Sequence, residues 1–122
     1  MENSKKPDRR AEGRAAEDQA ADFLIAKGCT IITRRFKCRR GELDLVMLDG
    51  DVLAFVEVKL RRAAGQTGEA VTKRKRTLLH ESAREYLWKM EQSERPYRLD
   101  LVAIDREGIR HYPGAFSDTW DM

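Results

Sequence analysis

Residues 41–59 read GELDLVMLDGDVLAFVEVK, and this stretch decides the fold. Two apolar runs flank an Asp-Gly dipeptide, a pattern that is typical of two β-strands joined by a type I′ hairpin. With Asp-Gly as a two-residue loop, the register predicts Asp44 opposite Phe55 and Glu42 opposite Glu57. Acidic side chains from both strands are therefore expected to meet.

Side-chain alternation sorts this hairpin into a charged face and an apolar face. The apolar face is predicted to hold Leu43, Leu45, Val56 and Val58. The opposite face is predicted to hold four charged residues, namely Glu42, Asp44, Glu57 and Lys59. Carboxylates that converge without a cation repel one another, and burying them unpaired is costly in free energy.

The charged face has two interpretations. A lysine together with a hard divalent cation, Mg²⁺ or Mn²⁺, would compensate the acids. Alternatively, the face is a solvated polar edge of the sheet. Because several charges converge through a single hairpin, we favour the metal site.

The composition indicates a folded protein of modest size. The chain has 122 residues, of which 41% are hydrophobic, and we expect a flexible tail at residues 1–10 and a single domain at residues 11–122. No apolar run reaches membrane-spanning length and the first residues lack the apolar segment of a signal peptide, so we expect a cytoplasmic location without membrane contact. Cys29 and Cys38 have no metal-ligand spacing and are expected to be reduced thiols.

The formal net charge is +3, and many of the basic residues fall into three runs. One run precedes the acidic hairpin, one follows it, and the third opens the second predicted helix. Such runs are often solvated faces, but three of them around one acidic site favour a groove for a phosphate backbone. The residues predicted to bind nucleic acid are Arg39, Arg40, Arg61, Lys73 and Lys75.

Hydrophobic periodicity and turn residues predict the element order α-β-β-β-α-β-β. A strand pair that is apolar on one face and mixed on the other calls for helices on both sides. The predicted fold class is therefore α/β, a three-layer α/β/α sandwich with a central mixed sheet. The predicted helices cover residues 11–27 and a segment that Thr72 caps and that ends before Arg95, and the predicted strands cover residues 29–37, 45–48, 52–58, 98–104 and 109–112.

Four short motifs stand out along the chain: GELDL at residues 41–45, FVEVK at 55–59, AVT at 70–72 and RLDL at 98–101. Together they resemble the YraN-like uncharacterised family, UPF0102, over nearly the whole chain. That family belongs to the restriction-endonuclease-like superfamily, whose site is written PD-(D/E)XK, and it is similar in layout to archaeal Holliday junction resolvases. The resemblance implies a restriction-endonuclease-like fold.

The resemblance also implies roles for individual residues. Asp44 and Glu57 match the metal ligands, and Lys59 matches the catalytic lysine. Glu17, on the first predicted helix, matches the additional acid of the resolvase-like branch. The proline of the family signature is absent, since Leu43 stands before Asp44. Resolvase-like nucleases cut two strands as dimers, so the resemblance implies a homodimer.

The chemistry of these residues agrees with that assignment. Phosphodiester hydrolysis needs a positioned water, charge neutralisation at phosphorus and help for the leaving oxygen, and carboxylate-held Mg²⁺ with a lysine such as Lys59 supplies these. Glu42 is either an outer ligand of the metal or an acid that only protects the start of the strand. Glu17 is either part of the site or a surface acid that pairs with Arg14.

A few other residues have a structural interpretation beside a functional one. Asp100 is either a site acid or the ion-pair partner of an arginine. Trp88 and Trp120 have the rings to stack on bases, but the position of Trp88 on a helix favours the core. His80 and His111 lack the spacing of a zinc site or a catalytic triad, and we expect them at a helix surface and on an edge strand.

The sequence therefore predicts a metal-dependent nuclease that acts on DNA, with branched, flapped or other non-B structures as its substrates. The predicted cofactor is Mg²⁺ or Mn²⁺, and the predicted partner is DNA. The alternative is a catalytically silent nucleic-acid-binding module with the same fold.

Overall fold

The computed structural model describes residues 8–61 and 73–116, and the elements in these ranges follow the predicted order α-β-β-β-α-β-β. Thr72 and Trp120 lie outside the described residues, and so do residues 1–7. The helices are α1 (Arg9–Ala26) and α2 (Lys73–Lys89), and the strands are β1 (Thr30–Cys38), β2 (Gly41–Asp49), β3 (Val52–Leu60), β4 (Tyr97–Asp105) and β5 (Gly108–Tyr112).

The five strands form one sheet in the order β1-β2-β3-β4-β5. β3 and β4 are parallel, and the other neighbours are antiparallel. Parallel neighbours need a long crossover connection, and α2, which lies between β3 and β4 in the chain, provides it. The helices cover opposite faces, so the three-layer α/β/α sandwich with a mixed sheet is confirmed, and it agrees with a restriction-endonuclease-like fold. Neither described helix combines the length and the apolar character needed to cross a membrane.

Helix α1 begins at Arg9, two residues before the predicted start. The Oδ1 atom of Asp8 accepts hydrogen bonds from Arg10 N at 3.0 Å and Ala11 N at 3.2 Å, which makes Asp8 the N-cap. The last three residues of the predicted tail are thus the N-cap and the first two residues of α1. Asp8 is a residue type that commonly caps helices, and it was the sequence signal for a start at Arg9.

α1 lies close to the sheet because its buried side is built from small residues. Ala16, Ala20 and Ala21 are at most 3% exposed, and Leu24 is fully buried beside them. We call this layer the α1-side core. Its sheet residues include Leu45, Met47, Ala54, Val56, Val102 and Ile104.

The opposite face of the sheet packs against α2, and we call this layer the α2-side core. Phe55 lies at its centre, with ring centroids 5.4 Å from Tyr86 and 5.6 Å from Tyr97, both edge to face. Further members are Leu43, Val46, Leu53, Leu79, Ala83, Leu87, Leu99, Leu101 and Phe116.

The β2–β3 hairpin differs from the prediction by one step. Asp49 pairs with Val52, so the two-residue loop is Gly50-Asp51. Gly50 has a φ of 65°, whereas Asp51 does not adopt a positive φ. This matches a type II′ turn, which needs a positive φ only at the first loop residue, and the predicted type I′ turn is wrong.

The corrected register changes which acids meet. Moving the loop by one residue shifts each pair by two positions. Continuing the observed pairing places Asp44 level with Glu57, where the prediction has Phe55. The predicted pairing of Glu42 with Glu57 is wrong for the same reason.

Candidate functional site

Regular pairing between β2 and β3 extends from the hairpin loop back to Leu45 and does not include Asp44. The last regular pair joins Leu45 to Val56. Beyond it, Val58 N donates a hydrogen bond to Asp44 Oδ2 at 2.8 Å. A side-chain carboxylate thus accepts where a main-chain carbonyl would accept in a continued ladder, and it lies in the gap between the two strands.

Side-chain alternation along β2 also breaks at this point. Leu43 packs in the α2-side core, whereas Leu45 packs in the α1-side core, although residues two apart in a regular strand share a face. On the neighbouring strand, Arg35 has a φ of 55°, a conformation that L-residues other than Asn and Asp rarely adopt. The prediction that Leu43 and Leu45 share a face is therefore wrong, because both strands are irregular here.

Three carboxylates meet at this irregularity. Glu17 on α1, Glu42 and Asp44 each offer an oxygen, and these oxygens all lie within 4.8 Å of one another. The predicted metal ligands Glu42 and Asp44 are thus brought together, with Glu17 as the third member. Carboxylate oxygens at this spacing are a donor set for a hard divalent cation.

Glu57 approaches the same gap but is paired with lysines. Its Oε2 atom lies 3.3 Å from Lys59 Nζ and 3.1 Å from Lys75 Nζ, and the residue is 5% exposed. Glu57 thus pairs with Lys75 of α2, whereas Glu42 and Asp44 lie beside Glu17 of α1. The predicted single charged face is therefore wrong: the charged groups converge from both sides of an interrupted sheet.

The electrostatics of Asp44 reflect this convergence. Burial is the first cause and the Glu57 carboxylate the second, and together they raise the pKa of Asp44 to about 8. The hydrogen bond from Val58 and the charge of Lys75 oppose this rise, and Glu17 adds to it. Because the raising effects prevail, the described cluster holds less positive charge than its acids call for. We refer to Glu17, Glu42, Asp44 and Glu57 as the acid cluster.

Glu17 does not pair with Arg14, the partner considered for a surface acid. Its carboxylate accepts a hydrogen bond from Arg35 Nη1, and Arg35 also lies 3.8 Å from Asp18. The hydrogen bond to Glu17 raises the pKa of Arg35. An arginine in a rare backbone conformation thus carries positive charge to the edge of the acid cluster.

A basic groove opens beside the acid cluster, with a volume of about 550 Å³. It is lined by Glu17 and Glu42 from the cluster and by cations from α1 and β1. Arg35 and Lys37 belong to the basic run that precedes the acidic hairpin, whereas Arg9 and Arg10 fall in the predicted tail and Arg14 was considered only as a partner of Glu17. The cationic residues of the basic groove are Arg9, Arg10, Arg14, Arg35 and Lys37.

The five residues predicted to bind nucleic acid lie on different parts of the surface. Lys75 contacts the acid cluster. Arg39 and Arg40 line a groove along α2, and Arg61 lines a third groove. Lys73 is exposed at the start of α2. A single phosphate-binding surface made of these five residues is therefore not formed.

Asp100 forms an ion pair with an arginine, which was the structural alternative for this residue. Its Oδ1 atom accepts from Arg98 Nε at 2.8 Å, and the carboxylate is fully buried. His111 lies on the edge strand β5 as expected, but its side chain is only 3% exposed, because Nε2 lies 2.8 Å from Asp100 Oδ2. His80, expected at the helix surface, has its Nδ1 atom 2.9 Å from Tyr97 Oη.

Trp88 is not a core residue. It is 70% exposed on α2, so the expectation that it packs beside Leu87 is wrong. The two residues are adjacent in a helix, and their side chains point about 100° apart. Cys29 and Cys38 are free thiols, as predicted, and burial raises the pKa of both.

Comparisons with known proteins confirm the resemblance. The family described as "Uncharacterised protein family UPF0102" matches residues 16–104. A UPF0102 protein of Pelotomaculum thermopropionicum is 42% identical over 116 residues, which cover 88% of this chain and 97% of the relative. A UPF0102 protein of Symbiobacterium thermophilum is 45% identical over 98 residues, and one of Ectopseudomonas mendocina is 46% identical over 99 residues, each alignment covering 79% of this chain and 83% of the relative. This chain belongs to the uncharacterised protein family UPF0102.

Proposed function

We propose that this protein is a metal-dependent nuclease that hydrolyses DNA phosphodiester bonds at branched or other non-B structures. The acid cluster is the observation that carries the proposal. Its carboxylates converge where strand pairing stops, and burial together with Glu57 raises the pKa of Asp44. A cluster that is short of positive charge favours a bound cation, and a cation would reverse that rise in pKa.

The donor set suits Mg²⁺ or Mn²⁺. Both ions prefer oxygen ligands, and opposite ligands of an octahedral Mg²⁺ lie about 4.2 Å apart. The oxygens of Glu17, Glu42 and Asp44 lie within 4.8 Å of one another, so a bound ion would draw them together. Asp44, Glu42 and Glu57 would hold the ion, with Glu17 next to them. When bound, the ion would neutralise phosphate charge and lower the pKa of an attacking water.

Lys59 and Lys75 supply fixed positive charge at the proposed site. Both ammonium groups contact the same oxygen of Glu57. Their side chains are 33% and 40% exposed, so a bound strand has access to them. We propose that Lys59 stabilises charge on the phosphate in the transition state and that Lys75 neutralises Glu57.

The basic groove supports a polymeric phosphate as the substrate. It includes Glu17 and Glu42 in its lining, so a strand held there by its phosphates would pass the acid cluster directly. A small phosphate ester would not need five cations along a groove. The preference for branched DNA and the homodimer rest on the resemblance to resolvases alone.

The test is cleavage of linear, branched and single-stranded DNA by the purified protein with Mg²⁺ or Mn²⁺. We expect metal-dependent nicking that Asp44→Asn abolishes. Asp22→Asn is the matched control, because Asp22 is an exposed acid of α1 outside the acid cluster, and it should cut at the wild-type rate. An absence of cleavage on every substrate, with DNA binding that neither metal nor Asp44→Asn alters, would favour the catalytically silent binding module.

A further inference from the structure

We infer that the groove beside Trp88 binds an unpaired base of a nucleic-acid strand. This inference deepens the proposed function, on which it rests for the identity of the strand, by specifying a substrate with an unstacked nucleotide next to α2. The groove has a volume of about 760 Å³ and is lined by Trp88 and by the cations Arg39, Arg40, Arg84 and Lys89. Sites for small molecules and cofactors usually measure roughly 300–1,000 Å³. We call it the Trp88 groove.

Trp88 is the most exposed large hydrophobic residue among the described residues. It is 70% exposed, and the next, Ile25, is 48% exposed. A tryptophan ring carries a large apolar area, which is costly to leave in water. Its flat face also suits stacking on a nucleobase, an interaction that tolerates any base because every base has a π-face.

The β1–β2 turn contributes to the Trp88 groove and is fixed to α2. Arg39 N donates to Glu85 Oε1 at 3.0 Å, and Arg40 Nη1 donates to Glu81 Oε1 at 2.8 Å. Both acids are side chains of α2. The groove is therefore formed before a ligand arrives, and binding loses less conformational entropy than it would with a mobile turn.

The charges in the Trp88 groove select an anionic ligand. Four cationic side chains line it against two acidic ones. Within the described residues, neither the Arg39 nor the Arg84 side chain forms an ion pair. A nucleotide presents a planar base together with a phosphate, which matches an exposed indole ring surrounded by guanidinium groups. An acidic peptide would satisfy only the charges.

Helix α2 connects the Trp88 groove to the acid cluster. Lys75 contacts Glu57 near the start of the helix, and Trp88 lies about 20 Å further along the helix axis. A strand at the duplex spacing of 3.4 Å would cover this length in about six nucleotides. The β1–β2 turn also leads directly into Glu42 on β2. Thirteen residues also place Trp88 about 140° from Lys75 around the helix axis, so a strand that leaves the proposed cleavage site would reach Trp88 by turning around α2 past the β1–β2 turn.

The experiment is a fluorescence titration of the full chain without metal. The chain has two tryptophans, so Trp120→Phe leaves Trp88 as the single tryptophan reporter. Single-stranded DNA and single-stranded RNA are titrated in separate arms, beside a blunt duplex of equal length. We expect stronger quenching by a single strand than by the duplex, and the arm that binds more tightly identifies the source of the strand. Equal quenching by the duplex would overturn the inference.

Two ligand controls separate the base from the phosphate. A single strand of abasic nucleotides keeps the phosphates and removes the bases, so its quenching should be much weaker. Polyglutamate tests whether the groove binds any polyanion. Quenching by either control that equals quenching by the intact strand would overturn the inference.

A variant series tests the stacking contact itself. Trp88→Ala should weaken single-strand binding roughly 5- to 150-fold, the range that corresponds to the loss of one stacked base, and Trp88→Phe should retain most of the affinity. Ile25→Ala is the matched control, because it truncates an exposed apolar residue on the other helix. An unchanged affinity of Trp88→Ala, measured by a label on the strand, would overturn the inference.

These titrations are independent of cleavage. Intact quenching of Trp88 in a protein that cleaves no DNA would remove the proposed nuclease and leave this binding site. Metal-dependent cleavage without single-strand quenching of Trp88 would retain the nuclease and reject the binding site.

Discussion

Asp100 is fully buried and Asp44 is half-buried in the same sheet, and their surroundings differ. Asp100 accepts two hydrogen bonds from Arg98 and one each from His111 and Gly114 N, all at 2.8 Å. Burial alone would raise the pKa of Asp100, but the hydrogen bonds from Arg98, Gly114 and His111 outweigh burial and lower it. This carboxylate is fully supplied with donors.

Asp44 is supplied far less completely. Its donor among the described residues is Val58 N, and the burial of the group, followed by the charge of Glu57, raises its pKa. The comparison shows how the same residue type serves two purposes in one fold. A fully buried acid with all its donors holds strands together, whereas a half-buried acid that lacks positive charge has the properties of a binding site.

Replacement of Asp100 is expected to have the largest effect. Asp100→Asn removes the charge that balances Arg98 and should lower the free energy of unfolding by about 3–5 kcal/mol. Asp44→Asn keeps an acceptor for Val58 N and removes the cost of holding a proton that the unfolded chain releases, so it should leave that free energy unchanged or raise it. Urea denaturation without metal measures both variants. If Asp44→Asn were as unstable as Asp100→Asn, the acid cluster would be a structural network and the comparison would fail.

Lys59, which contacts Glu57 of the acid cluster, extends the comparison to catalysis. Lys59→Ala should lower the single-turnover cleavage rate by roughly 10²–10³-fold and change DNA affinity by less than about 1 kcal/mol, because the proposed contact forms in the transition state. Lys59→Arg should not restore the rate, since a planar guanidinium does not reproduce the geometry of an ammonium point charge. Wild-type cleavage by Lys59→Ala would contradict the proposed role.

The two acids should also respond to pH in opposite directions. The pKa of Asp44 is raised in the folded state, so the unfolded chain releases this proton first, and stability should fall as pH rises from about 4 to 8, with a slope of up to about 1.4 kcal/mol for each pH unit. The pKa of Asp100 is lowered, so its contribution should be lost only as pH falls below about 4.

Urea denaturation from pH 4 to 8 without metal, on the wild type and on Asp44→Asn, checks this dependence. The difference between the two proteins isolates the carboxylate from other titrating groups. A wild-type curve parallel to that of Asp44→Asn would show that Asp44 is not short of positive charge.

The smallest effect is expected from the basic groove, which lies beside the acid cluster of Asp44. Replacing Arg10 and Arg14 of the basic groove by alanine should flatten the slope of log affinity against log salt by roughly one unit for each phosphate that is no longer neutralised. Arg106→Ala is the control, because Arg106 is exposed in a different groove. An equal change in slope for Arg106→Ala would mean that net charge alone controls binding.

Much of the fold could be predicted from the sequence. The order of elements follows from hydrophobic periods that switch between two and 3.6 residues, and the end of α1 follows from Gly28, which adopts a φ of 99°. The hairpin register could not be fixed in the same way. Both Asp49-Gly50 and Gly50-Asp51 suit a two-residue loop, and packing of Phe55 beneath Tyr86 depends on residues far away in the chain.

The candidate site was only partly accessible to sequence reasoning. Asp44, Glu57 and Lys59 could be selected because they share one hairpin. The contact from Lys75 and the pairing of Glu17 with Arg35 could not, since each depends on how a helix packs against the sheet. For Asp100, an arginine two residues away was a visible signal, but burial against His111 depends on the pairing of β4 with β5.

The hydrogen bond from Val58 N to Asp44 Oδ2 has a spectroscopic consequence. This amide belongs to the backbone of the sheet, but its acceptor is the carboxylate with the raised pKa. Hydrogen bonds strengthen when the acceptor is ionised, so the resonance of this amide proton should move as the carboxylate gains or loses charge. Val58 is thereby an internal NMR indicator of the protonation and cation occupancy of the gap between β2 and β3.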